Sequence, residues 1–66
     1  MSIILYTTDC PKCNVLKSKL QNKNIKFTEN NAVDEMLALG ITQAPVLSVD
    51  GELLDFKRAV TWVNNN

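Results

Sequence analysis

The residues of this 66-residue chain best suited to covalent chemistry are Cys10 and Cys13, the two cysteines it contains. They are spaced as Cys10-Pro11-Lys12-Cys13. Residues three apart on a helix stand on one face with about 5–6 Å between Cβ atoms, and a disulfide needs Cα atoms about 4.4–6.8 Å apart. The pair can therefore close a bond with little backbone movement. Pro11 suits the first helical position, where its missing N–H removes a donor that would be orphaned anyway, so Cys10 is expected at the N-cap. There its sulfur meets free backbone N–H groups and the positive end of the helix dipole, both of which favour thiolate over thiol. Lys12 adds a nearby cation. Asp9 opposes it with a neighbouring carboxylate, weakened by solvent screening. The expected chemistry is thiol–disulfide exchange, in which Cys10 attacks a disulfide and Cys13, one turn inside, resolves the mixed disulfide.

Two other uses of the pair fit less well. Cys-x-x-Cys is a common zinc-ligand spacing, but a structural zinc takes four ligands. The chain has no His and no further Cys, so zinc would need a dimer or carboxylates, and neither a metal nor a tightly bound cofactor is expected. A purely structural disulfide would close a loop of two intervening residues, which constrains the unfolded chain very little.

The elements that must position the pair follow from periodicity. Residues 2–7 read as a buried strand, β-branched and aromatic, with Thr8 and Asp9 turning into the site. From Pro11 to about Lys23 the positions Cys13, Leu16 and Leu20 recur at helical spacing beneath a polar outer face, and Asn22 to Asn24 end the helix. Residues 25–29 alternate apolar and polar and read as a second strand. Asn31 is the expected cap of a short helix with Val33, Met36 and Leu37 on its apolar side and Gly40 at its end. Gln43-Ala44-Pro45 leads into the strand Val46-Leu47-Ser48-Val49. Asp50-Gly51 is a hairpin signal, and Glu52-Leu53-Leu54 returns. Asp55 then caps a last helix with a stripe of Phe56, Ala59, Val60 and Val63 and with Trp62 beside it. The order is β-α-β-α-β-β-α. The first two strands should be parallel, the closing hairpin antiparallel, and helices should cover both faces of a four-stranded mixed sheet in an α/β domain spanning 1–66. Tyr6, Phe27, Phe56 and Trp62 are expected to fill a core of this size rather than to form a binding surface.

Composition bounds the partners. Hydrophobic residues make up 45% and the formal net charge is zero, which is neither the low hydrophobicity of disorder nor the basic excess of a nucleic-acid binder. No nucleic acid and no membrane is expected as a partner. The longest apolar runs fall far short of a membrane span, and Met1 enters a strand-like run without a charged leader. Paired cysteines in a cytoplasmic protein point to redox or metal chemistry before cross-linking. Cytoplasm and a monomer are the expectations.

A first strand ending at a Cys-Pro-x-Cys helix start, a lone Pro before the third strand and a Gly-bearing hairpin after it resemble the thioredoxin fold, and within it the glutaredoxins. The likeness covers nearly the whole chain. Leu39-Gly40 with Gln43-Ala44-Pro45-Val46 looks like the small glutaredoxin-like redoxins of the NrdH type. The resemblance implies catalytic Cys10 and Cys13, a cis Pro45, and Ala44 as the residue whose backbone pairs with a bound peptide or glutathione, with Lys12 beside it in substrate binding. It also implies electrons from a thioredoxin-reductase-type enzyme or from glutathione, and a disulfide-containing protein substrate, ribonucleotide reductase being the usual client of the NrdH type. This chain departs from the pattern at Thr7, where glutaredoxins usually carry a basic residue. It departs again at Leu53-Leu54-Asp55-Phe56, where they carry a Gly-Gly pair followed by acidic residues. The Trp-Ser-Gly-Phe type sequence of the NrdH group is also missing. The expected function is dithiol–disulfide oxidoreduction; a non-enzymatic interaction or metal-binding module is the alternative.

Overall fold

Seven elements follow one another in the expected order in the computed structural model, which describes residues 2–8 and 10–66. They are β1 (Ile3–Tyr6), α1 (Pro11–Asn22), β2 (Thr28–Asn30), α2 (Val33–Ala38), β3 (Val46–Val49), β4 (Glu52–Leu54) and α3 (Phe56–Asn64). The strands form one mixed sheet in the order β2-β1-β3-β4. β1 runs parallel to β2, with Leu5 opposite Glu29, and antiparallel to β3, with Leu5 opposite Leu47.

Alternation along β1 sorts the sheet into two faces, because successive side chains of a strand point to opposite sides. Ile3 and Leu5 join Leu47 and Leu54 beneath Leu16 and Leu20 of α1 and Ala59 and Val63 of α3. Tyr6 faces the other way and packs with Met36 and Ile41, flanked by Ile4 and Val46. Helices α1 and α3 thus lie together on one face, with α2 on the other. The protein is an α/β chain with a four-stranded mixed sheet and three helices, and among the described residues no helix is long and apolar enough to cross a membrane.

Two elements differ from the sequence reading. The second strand was expected over 25–29 but runs Thr28–Asn30. The cause lies at the end of α1, where Asn24 takes a positive φ of 57°. The amide of Asn24 donates to Gln21 O and that of Ile25 to Leu20 O, each at 3.0 Å. These are the paired bonds of a Schellman cap, and they commit Ile25 to closing the helix. Ile25 and Phe27 still pack against the core from the connection. The second difference is the α2 cap. Asn31 was expected to provide it, but the N-cap is Ala32, without a side-chain bond. Asn30 does the work instead: its Oδ1 accepts from Ala32 N at 2.9 Å and its Nδ2 donates to Glu35 Oε2 at 2.6 Å. A six-residue helix also reaches the sheet with little of its surface. Met36 is buried, whereas Val33 and Leu37, expected beside it, are 54% and 61% exposed.

The other turns follow their local chemistry. Gly40 at φ 80° ends α2, with Ile41 N donating to Met36 O at 2.8 Å. Asp50 and Gly51 both have positive φ, as a two-residue hairpin of type I′ requires. Asp50 further ties the hairpin to the start of β1, accepting from Ser2 N at 2.7 Å while its own amide donates to Ser2 O at 2.8 Å.

Candidate active site

The end of β1 and the start of α1 bring the two cysteines together as free thiols. Cys10 is the N-cap of α1 and Pro11 its first residue. The amide of Cys13 donates to Cys10 Sγ at 3.3 Å, which is the N-cap bond made to sulfur instead of oxygen. The two Sγ atoms stand 2.7 Å apart, and either can donate to the other. Cys10 is half-buried, while Cys13 is 1% exposed. Of the two sulfurs, that of Cys10 is thus the more accessible. Asp9, expected to oppose the site's charge, lies outside the described residues.

Hydrogen-bond donors gather around Cys13 more than the sequence suggested. Burial pushes the Cys13 thiol up, but hydrogen bonds from the Cys10 thiol, the Thr7 hydroxyl and the backbone at Thr8 and Cys10 outweigh it and hold it below its ordinary value of 9.0. Thr7 had been noted only as the residue standing where a basic one is usual. In the structure it is 3% exposed, and its hydroxyl is among the groups that lower the Cys13 thiol. The signal was present in the sequence, since Thr7 continues the alternate positions Ile3 and Leu5, but its partner depends on where α1 lies over the sheet.

The loop before β3 forms the opposite wall. The Ala44-Pro45 peptide is cis, and the Cys10 thiol points toward Ala44 O at 3.9 Å. Beyond it opens a groove of about 370 Å³, whose lining includes Lys12, Ala44, Pro45, Leu53, Phe56 and Arg58. The three residues expected to bind substrate, Lys12, Ala44 and Pro45, thus share one groove beside the outer thiol. Lys12 meets an aromatic ring of α3. Its Nζ lies 5.7 Å from the centre of the Phe56 ring, within cation–π range. Phe56 was assigned to the core alone. It does pack against the core, but it is also a wall of the groove. Asp55 is turned back on its own helix, where its Oδ1 accepts from Arg58 N at 2.8 Å. Arg58 also reaches Glu52 at 3.3 Å.

A second groove, of about 570 Å³, lies away from the thiols between β4 and α3 and includes Lys57 and Trp62. Among the described residues no three His, Cys, Asp or Glu side chains gather into a metal site. The geometry near Cys10 is therefore that of a reachable sulfur with a second sulfur in bonding range behind it and a groove in front. No protein-family model, curated protein or solved structure matches this chain.

Proposed function

We propose that the chain is a thiol–disulfide oxidoreductase of thioredoxin-like fold, similar to the glutaredoxins and the NrdH-type redoxins. The observation that carries this reading is the pair of free thiols 2.7 Å apart at a helix N-terminus, one half-buried beside a groove and the other sealed behind it. The strand order, the cis Pro45 facing Cys10 and the helices on both faces agree with it.

In the proposed reaction the Cys10 thiolate attacks one sulfur of a substrate disulfide. The substrate S–S bond breaks, a Cys10–substrate disulfide forms, and the first substrate thiolate leaves. Cys13, as thiolate, then attacks Cys10 Sγ. The mixed disulfide breaks, the second substrate thiolate leaves, and Cys10 and Cys13 are joined. Two electrons have passed to the substrate, whose thiolates take protons from water. A thioredoxin-reductase-type flavoenzyme acting through its own dithiol, or two molecules of glutathione that leave as glutathione disulfide, restores the pair. The substrate class is a protein or small-molecule disulfide presented in extended form along Ala44-Pro45, with a ribonucleotide reductase as one candidate client and the reducing cytoplasm as the setting.

Turnover of insulin or hydroxyethyl disulfide under a suitable electron donor tests the reading. Cys10→Ser should abolish it. Cys13→Ser should stop dithiol turnover with protein disulfides and accumulate a mixed disulfide visible by intact mass. Unchanged reduction by both variants would rule the proposal out.

A further inference from the structure

We propose that the outer edge of β4 is a docking site for an extended, acidic segment of a partner protein, which adds to the sheet as a further antiparallel strand. β4 ends the strand order β2-β1-β3-β4, so no strand pairs with its outer side. The hairpin closes at the pair Val49 and Glu52 around its two-residue turn, and the register continues through Ser48 with Leu53 to Leu47 with Leu54. Along an antiparallel ladder, opposed residues alternate between exchanging both hydrogen bonds and exchanging none. Glu52 and Leu54 therefore spend their backbone groups on β3, while Leu53 directs its N–H and C=O away from the sheet. Among the described residues nothing else bonds to these two groups. One residue of an antiparallel partner satisfies both, which is the contact that strand addition uses. An edge is commonly protected by a charge or a proline, but the central residue here is Leu53, 37% exposed.

What flanks the edge sets the chemistry of the segment. The groove of about 570 Å³ between β4 and α3 is lined by Val49, Leu54 and Trp62 together with the cations Lys57 and Arg58 and one carboxylate, Glu52. Arg58 already meets Glu52 at 3.3 Å. The Lys57 ammonium has no carboxylate partner among the described residues, so the balance favours an acidic chain. Successive side chains of an added strand point to opposite faces. A residue opposite Leu53 thus shares the face of Leu53, and its two neighbours lie toward the groove that Glu52 and Leu54 line. An apolar residue between acidic neighbours fits that alternation. A second copy of β4 fits it less well, because its one acidic residue, Glu52, is already paired with Arg58 and would leave Lys57 unmatched. Leu53 and Leu54 also line the groove in front of Cys10, but the docking site stands independently of the dithiol reading.

Trp62 is the chain's one tryptophan and lines the groove, so its fluorescence reports occupancy. The probe is a cysteine-free, end-capped peptide of alternating glutamate and valine, with the lysine–valine peptide as control. Reduced wild type should bind the glutamate peptide with a saturable change in Trp62 emission and slower amide exchange at Leu53, and should bind the lysine peptide more weakly. Lys57→Gln should weaken the glutamate peptide about two- to fivefold, the range of an exposed charge pair. Glu52→Gln should strengthen it by a similar factor, since it removes the groove's carboxylate. Leu53→Pro removes the outward N–H at an edge position that tolerates proline, and should weaken binding about tenfold. If Leu53→Pro does not fold, N-methylated peptides decide: methylating the valines that face Leu53 should abolish binding, and methylating the glutamates should not. No saturable response, unchanged exchange at Leu53, equal binding of the two peptides or equal block by both methylations would overturn the proposal. Sedimentation showing a dimer that Leu53→Pro disperses would also overturn it, assigning the edge to a second copy. Disulfide turnover, measured separately, decides the dithiol reading and leaves each of these outcomes as it stands.

Discussion

Cys13 is 1% exposed and yet held below its ordinary value of 9.0, because the Cys10 thiol, the Thr7 hydroxyl and the backbone at Thr8 and Cys10 outweigh its burial. The unfolded chain offers none of these donors, so the thiol is less acidic there. Between the lowered folded value and 9.0 the unfolded state holds a proton that the folded state has lost, and stability rises with pH wherever the unfolded state binds more protons. The reduced protein should thus gain stability through Cys13 as pH rises toward 9.0 and lose that contribution as pH falls through the folded value. Urea midpoints of reduced wild type and reduced Cys13→Ser, followed from neutrality to 9.0, isolate the effect from other titrating groups. Their difference should widen in favour of the wild type, and a flat or narrowing difference would mean that the donors do not stabilise the thiolate. At this scale the sequence was informative about the cysteines, since three-residue spacing after a strand leaves little choice of geometry. It placed the donors at the Cys10 sulfur, whereas the structure also gathers them at Cys13. Thr7 follows β1 and Cys13 lies in α1, so how α1 crosses the sheet decides whether the Thr7 hydroxyl acts on that sulfur.

The elements that hold the site were legible where a local rule decides and obscure where two rules compete. Pro11 and Asp55 mark helix starts as read, with Cys10 and Asp55 as caps, and Asp50-Gly51 makes the turn its residues require. Alternation from Ile25 to Glu29 suggested a strand, but Asn24 in a left-handed conformation spends the Ile25 amide on the end of α1. Adjacent asparagines at 30 and 31 were equivalent on propensity alone. The structure gives the task to Asn30, which is held in β2 and so can bond both Ala32 N and Glu35. Asn30→Ala should cost about 1 kcal/mol, the usual loss for a helix-start cap, whereas Asn31→Ala should stay within about 0.5 kcal/mol, as exposed substitutions do. Urea denaturation of the two variants makes the comparison. Equal losses would contradict the assigned cap. Faster amide exchange confined to α2 in Asn30→Ala would place the loss in that helix, which has one buried residue, Met36, to anchor it.

The molecule measures 29 × 24 × 18 Å, and under the proposed activity the side chains that line its groove decide the choice of electron donor. Glutathione carries two carboxylates and an ammonium, and a specific pocket for it wants free cations and close backbone approach. Lys12 lies over the Phe56 ring at 5.7 Å. Arg58 lines the groove but pairs with Glu52 at 3.3 Å, and Lys57 lines the other groove instead. Leu53 and Phe56 add apolar bulk to the lining that Ala44 and Pro45 share. Such a groove suits an apolar peptide surface better than a small dicarboxylate. One missing charge-assisted contact costs about 1.5–3 kcal/mol, or roughly one to two powers of ten in affinity. We therefore expect weak, poorly saturable turnover with glutathione and efficient reduction by a thioredoxin-reductase-type flavoenzyme with NADPH. Phe56→Ala should lower turnover with the flavoenzyme several-fold while changing glutathione turnover less, because it removes apolar wall and no cation. Glu52→Gln should act in the opposite direction, freeing Arg58 for a carboxylate and improving glutathione use. Parallel assays with the glutathione couple and with bacterial thioredoxin reductases measure both. Saturation by glutathione at low millimolar concentration or below, with no turnover by the flavoenzymes, would show that the apolar wall does not decide the donor.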